Sequence, residues 1–148
     1  MNHLISEDGI YDGLIMSDVA AEMYQNEPKK FAQCCNGVGS TVGWVNRLVK
    51  WWLGDTIYGL SVRSMADIHD VEGTYPKQFP SRRQAEKWRN AGDQRLLING
   101  EIIVIRQKNQ SEKLKKKRLW WVKTYYKCLR WFGKTSFYTG KTIGGVEQ

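Results

Sequence analysis

The feature that most narrows the fold is the stretch 111–133, where Leu114, Trp121, Val122, Tyr125, Leu129 and Phe132 recur at steps of three, four and seven. Lys113, Lys115, Lys116, Lys117, Lys123, Lys127 and Arg130 occupy much of the remainder. This is the pattern of an amphipathic helix with one apolar stripe and one cationic face, with Gly133 as its natural C-cap. A stripe of that length has to be laid on other elements, and the rest of the chain offers mainly helices. Residues 17–33 read as helical: Ser17 or Asp18 caps the segment, Val19, Met23 and Phe31 follow at helical spacing, and Pro28 kinks or divides it. Residues 61–72 place Val62, Met65, Ala66 and His69 on one helical face. After breaks at Gly73, Pro76 and Pro80, Ser81 can cap a further helix carrying Ala85, Trp88, Gly92 or Asp93, and Leu96 or Leu97. Asn99-Gly100 then stands between two apolar runs. It fits a hairpin turn, and equally a helix that tolerates the glycine at about 1 kcal/mol.

A chain of 148 residues is ordinary for one domain, so 1–148 is read as a single unit: a helical segment at 1–33, a glycine- and tryptophan-rich loop at 34–60, two helices over 61–99 and the basic helix at 111–133. Its 41% hydrophobic residues support a real core. The longest apolar runs are four or five residues, far short of the roughly 20 that span a bilayer. The opening Met-Asn-His-Leu-Ile-Ser-Glu-Asp has neither a basic n-region nor an apolar h-region, so no secretory signal is expected, and His3 is assigned to a frayed terminus. The expected location is cytoplasmic or phage-associated, with peripheral attachment to a membrane. Three cysteines, Cys34, Cys35 and Cys128, make no disulfide framework.

Charge is unevenly spread. Residues 1–100 hold 11 Lys/Arg against 12 Asp/Glu, whereas 101–148 hold 12 against 3. The basic excess therefore lies in the last third, which points to an anionic partner, either nucleic acid or a phospholipid surface. From 34 to 60 there are five glycines and no sustained period, and Trp44, Trp51 and Trp52 accompany Arg47 and Lys50. Each tryptophan taken alone is more often core, but three beside one loop also fit a surface where indoles sit at headgroup depth. The helix at 111–133 has the same duality, since lysines are most often a solvated face.

Three short features could carry chemistry: the loop Cys35-Asn36-Gly37-Val38-Gly39-Ser40, the run Ile68-His69-Asp70, and Asp93. Singly, each has a bland explanation as a turn, a helix-surface pair or a solvated carboxylate. Their order is more specific. The chain resembles the phospholipase A2 superfamily, and more closely its disulfide-poor branches, which include the lipase segment of parvovirus capsid proteins and short phage-type proteins. The resemblance rests on the glycine loop, the His69-Asp70 dyad, the returning Ala91-Gly92-Asp93-Gln94-Arg95-Leu96, Tyr58-Gly59-Leu60-Ser61 before the dyad, and Phe132-Gly133 through Lys141. It spans roughly 34–141 and implies two antiparallel core helices, which favours helix over hairpin at Asn99.

The resemblance also implies a site. Calcium would be held by the backbone carbonyls of Cys35, Gly37 and Gly39 and by the side chain of Asp70, the hard oxygen ligands that Ca²⁺ prefers. His69 would act as general base on a water molecule, with Asp93 accepting a hydrogen bond from its other ring nitrogen. The implied activity is hydrolysis of the sn-2 ester of glycerophospholipids, with no serine or cysteine nucleophile. Trp44, Trp51, Trp52, Lys115, Lys116, Lys117 and Arg118 would meet an anionic phospholipid surface. Active relatives carry a tyrosine four residues after the histidine, where this chain has Gly73; secretory ones bridge the loop cysteine to the position of Ala66. Two other readings stay open: a catalytically degenerate membrane-associating or phage structural protein on the same scaffold, and a basic nucleic-acid-binding accessory protein that uses Trp120, Tyr126 and Trp131 for stacking.

Overall fold

The computed structural model describes residues 2–3, 11–35 and 56–148. Gly37, Gly39, Trp44, Trp51 and Trp52 therefore lie outside the described residues. The described part is mainly helical. Its helices are α1 (Asp18–Asn26), α2 (Pro28–Cys34), α3 (Arg63–Thr74), α4 (Arg82–Ile105) and α5 (Glu112–Tyr138). Two-residue strands trim their ends. β1 (Asn2–His3) pairs antiparallel with β2 (Ile15–Met16), and β3 (Thr56–Ile57) with β4 (Leu60–Ser61). In a small sheet, β5 (Gln78–Phe79) runs parallel to β6 (Thr142–Ile143), which pairs antiparallel with β7 (Val146–Glu147). No helix among the described residues is long and apolar enough to cross a membrane.

Local chemistry accounts for most helix boundaries. Ser17, Ser81 and Ser111 each accept a hydrogen bond from the backbone N–H three residues on, satisfying one orphan donor at the starts of α1, α4 and α5. Pro28 opens α2 at its first turn, so the segment 17–33 is two helices divided at Glu27. Gly133 does not end α5, contrary to the capping expectation. The helix continues to Tyr138 because its last turn buries Phe137 and Tyr138 against Phe79, Ala85 and Ile143. The chain turns instead at Gly140, with φ of +72°. His3 is likewise not frayed, since its backbone pairs with Ile15.

The main core gathers Leu14, just before β2, with Met16, Met65, Ile68, Val71, Ile103, Val104 and Val122 from β2, α3, α4 and α5. On α3 the buried face is centred on Met65, Ile68 and Val71, which leaves His69 on its flank rather than at its middle. Phe132 is 62% exposed, outside the stripe that the periodicity gave it. Tyr11, Tyr24 and Phe31 add an edge-to-face cluster with centroids 5.3–5.5 Å apart.

At Asn99-Gly100, helix α4 is unbroken, and the two residues that resemble a turn are its closest crossing point. A Cβ on Gly100 would stand 2.5 Å from Val122 Cγ1 and 2.8 Å from Met65 Sδ, so three helices meet where only a hydrogen fits. Asn99, fully buried, donates to Ile15 O at 2.8 Å and accepts from Ile15 N at 2.7 Å. Its amide stands in for a neighbouring strand. One turn along the same crossing, buried Glu72 of α3 takes Arg95 Nε at 2.9 Å and the Ser17 N–H at 2.6 Å. These contacts set α3 and α4 antiparallel, with Glu72 beside Gly92 and Met65 beside Gly100.

Candidate active site

The antiparallel crossing brings the two chemistry-bearing positions together. His69 lies one residue beyond buried Ile68 on α3; Asp93 lies one turn after Arg89 on the α4 face turned inward. Gly92 allows the close approach, its hydrogen facing Glu72. His69 Nε2 stands 2.8 Å from Asp93 Oδ1, with the histidine side chain 20% exposed and the aspartate 3%. Burial disfavours the charged form of Asp93, yet the His69 hydrogen bond and charge, with Arg130 and Arg89, outweigh it and hold its pKa below the usual value. An ionised Asp93 makes Nε2 the protonated nitrogen and leaves Nδ1 basic. Burial likewise opposes a charge on His69, but the hydrogen bond and charge of Asp93, with Asp70 and Glu72, raise its pKa above 6.5. The pair can therefore take up a proton and stabilise the imidazolium that results.

Sequence reasoning missed what lies behind Asp93. Arg130 of α5 donates from one guanidinium nitrogen to Asp93 Oδ2 at 3.0 Å and from the other to Glu86 Oε1 at 3.2 Å. Arg89 donates twice to Glu86, at 3.2 and 3.0 Å, and sits 3.5 Å from Asp93 Oδ2. Tyr138 donates to Glu86 Oε2 at 2.8 Å. Burial of Glu86 is outweighed by the hydrogen bonds from Arg89, Tyr138 and Arg130, which bring its carboxyl down to about 2. The spacing Glu86, Arg89, Asp93 on one helical face was a usable signal. Arg130 carried none, being one of many basic residues in the last third.

Asp70 follows His69 on α3, and its charge acts on both Cys34 and Cys35 at the end of α2, where the glycine loop begins. Burial first, then Asp67 and Asp70, push the Cys35 thiol up to about 12. It is a neutral S–H that donates to Phe31 O at 3.1 Å, not a thiolate ligand. Asp70 is a carboxylate with no thiolate beside it, a side chain of the hard-oxygen kind that Ca²⁺ prefers. Among the described residues no group of three or more His, Cys, Asp or Glu converges. Cys34, Cys35 and Cys128 are all free. Nearby, an open groove of about 460 Å³ is lined by Val19, Met23, Lys30, Tyr75 and Lys77 among others, and both lysines lower the Cys34 pKa, against burial and Asp70, which raise it.

The basic residues of α5 divide in two. Arg118 is turned inward, donating to Gln110 Oε1 at 3.1 Å and to Tyr58 O at 2.7 Å. It thereby secures the β3–β4 turn, where Tyr58 has φ of +47°. Lys115 lies 3.8 Å from Glu112. Lys116 and Lys117 are exposed, and with Lys123, Lys127 and Lys134 they fall at helical spacing on one outward face. Trp120 and Trp131 emerge from that face, 58% and 72% exposed. Comparison of the chain with protein-family models, with curated proteins and with solved structures finds no match.

Proposed function

We propose that this chain is a calcium-dependent, phospholipase A2-like hydrolase that cleaves the sn-2 ester of glycerophospholipids. The observation that carries the reading is the 2.8 Å contact between His69 Nε2 and Asp93 Oδ1, made across two antiparallel helices with Asp70 following the histidine. His69 Nδ1 takes a proton from a water molecule as its oxygen attacks the ester carbonyl, and Asp93 stabilises the imidazolium. When the tetrahedral adduct collapses, the C–O bond to the glycerol oxygen breaks. His69 returns the proton to that alkoxide, so water is added across the ester and no acyl-enzyme forms. Ca²⁺ held by Asp70 and the carbonyls of Cys35, Gly37 and Gly39 would supply a Lewis acid for the ester oxygen.

The substrate reaches the site as an aggregate, and the outward face of α5 supports an anionic phospholipid surface as partner. Lysines there are attracted to acidic headgroups, and Trp120 and Trp131 suit the headgroup boundary. Vesicles of phosphatidylglycerol carrying different acyl chains at sn-1 and sn-2 test both halves of the reading. The expected result is calcium-dependent release of the sn-2 chain alone, abolished by chelator. Sedimentation with vesicles but no release would make the chain a membrane-associating protein without turnover. Failure to bind lipid, with salt-sensitive binding to DNA or RNA, would favour the nucleic-acid reading.

A further inference from the structure

We propose that Arg130 is a positioning residue of this site, and that α5 completes the catalytic pair by holding the second oxygen of Asp93. The inference rests on the hydrolase reading for its functional consequence, but its geometry stands alone. A carboxylate that meets a histidine through one oxygen can still turn about χ2, a broad torsion, and lose the linear hydrogen bond. Oδ1 of Asp93 meets His69; Oδ2 is met by Arg130 at 3.0 Å. Arg130 is itself held, because its other nitrogen reaches Glu86 at 3.2 Å, and Glu86 is fixed by Tyr138 at 2.8 Å and twice by Arg89. A planar guanidinium joining two carboxylates makes a rigid link that a flexible ammonium reproduces only in part.

Neither Arg89 nor α3 fills this role. Arg89 commits Nε and one terminal nitrogen to Glu86, and the other to Leu129 O at 3.4 Å, so it orders Glu86 more than Asp93. The residue one turn after His69 is Gly73, and nothing lies within 4 Å of where its Cβ would stand. Helix α3 therefore offers Asp93 no hydroxyl from that position. The anchor is supplied by the third helix instead, the one that also carries Trp120 and Trp131. With Asp93 2% exposed and the Arg130 side chain 26% exposed, this link is screened less than a surface ion pair.

The test uses the full chain with ¹⁵N-labelled histidine, in chelator and without lipid. Wild-type protein should show His69 as the Nε2–H tautomer, with a slowly exchanging, strongly downfield proton. Arg130→Gln should lose that signature, whereas Arg130→Lys, which keeps a cation at Oδ2 but drops the Glu86 bridge, should retain it in broadened form while melting much like Arg130→Gln. On vesicles, kcat should fall about 10- to 100-fold in Arg130→Gln with KM unchanged, and Arg130→Lys should recover most of it. A wild-type His69 signature in Arg130→Gln, or equal loss in Arg130→Lys, would overturn the proposal. Should Arg130→Gln fail to fold, Glu86→Gln is read instead: a broadened His69 signal supports the link, and an unchanged one rejects it. If the wild type releases no fatty acid but the tautomer still depends on Arg130, the hydrolase reading fails and the positioning role stands.

Discussion

Replacing Asn99 by alanine tests whether the α4–β2 junction is held by one side-chain amide. Asn99 is fully buried and makes two hydrogen bonds, 2.7 and 2.8 Å, to the N–H and C=O of Ile15. Alanine removes both partners at once. Each orphaned backbone group costs about 1–3 kcal/mol, and a water admitted to the vacated space would recover part of it. A net loss of about 2–4 kcal/mol follows. With a urea m-value of about 2 kcal/mol per molar, the unfolding midpoint should fall by roughly 1–2 M. Equilibrium urea unfolding, followed by far-ultraviolet circular dichroism and by tryptophan fluorescence, measures the shift and checks that both probes move together. A loss below about 0.5 kcal/mol, the size of an ordinary surface substitution, would refute the assignment of Asn99 as a strand surrogate.

Gly100→Ala should destabilise the chain by about 1–3 kcal/mol through overpacking against Val122 and Met65, and Val122→Ala in the same chain should recover part of that loss; simple additivity of the two would contradict the three-helix contact. Lys141 is 3% exposed, donates to Thr74 O and Pro76 O, and lies 4.6 Å from the centre of the Phe137 ring. Burial, then Lys77, bring its pKa down to about 8 from 10.5. Between those values the unfolded chain holds a proton that the folded chain has released, so stability should rise with pH across that window. Lys141→Met should abolish the rise, and a wild type with no rise would contradict the placement of Lys141.

The sequence signals that translated directly were local ones. Ser17 and Ser81 cap helices because a serine side chain can satisfy an N-terminal donor wherever the chain goes next. Pro28 divides α1 from α2 for an equally local reason. Signals decided by packing did not translate so directly. Gly133 has the chemistry of a terminator, but burial of Phe137 and Tyr138 beyond it outweighs the cost of a glycine within a helix. Asn99-Gly100 has the chemistry of a hairpin, and only the crossing of Met65 and Val122 gives the glycine another use. At the candidate site, residue type and order put His69, Asp70 and Asp93 forward. The Arg130 link joins residues 37 positions apart through the docking of two helices, a relation that no spacing rule encodes.

On the proposed reading, His69, paired with Asp93, activates water for ester hydrolysis. The most direct test is the initial rate of sn-2 fatty-acid release from phosphatidylglycerol vesicles in calcium, compared between wild type and His69→Gln. Loss of a general base predicts a fall of about 10²- to 10⁴-fold, with vesicle binding unchanged. Equal rates in the two proteins would contradict the account.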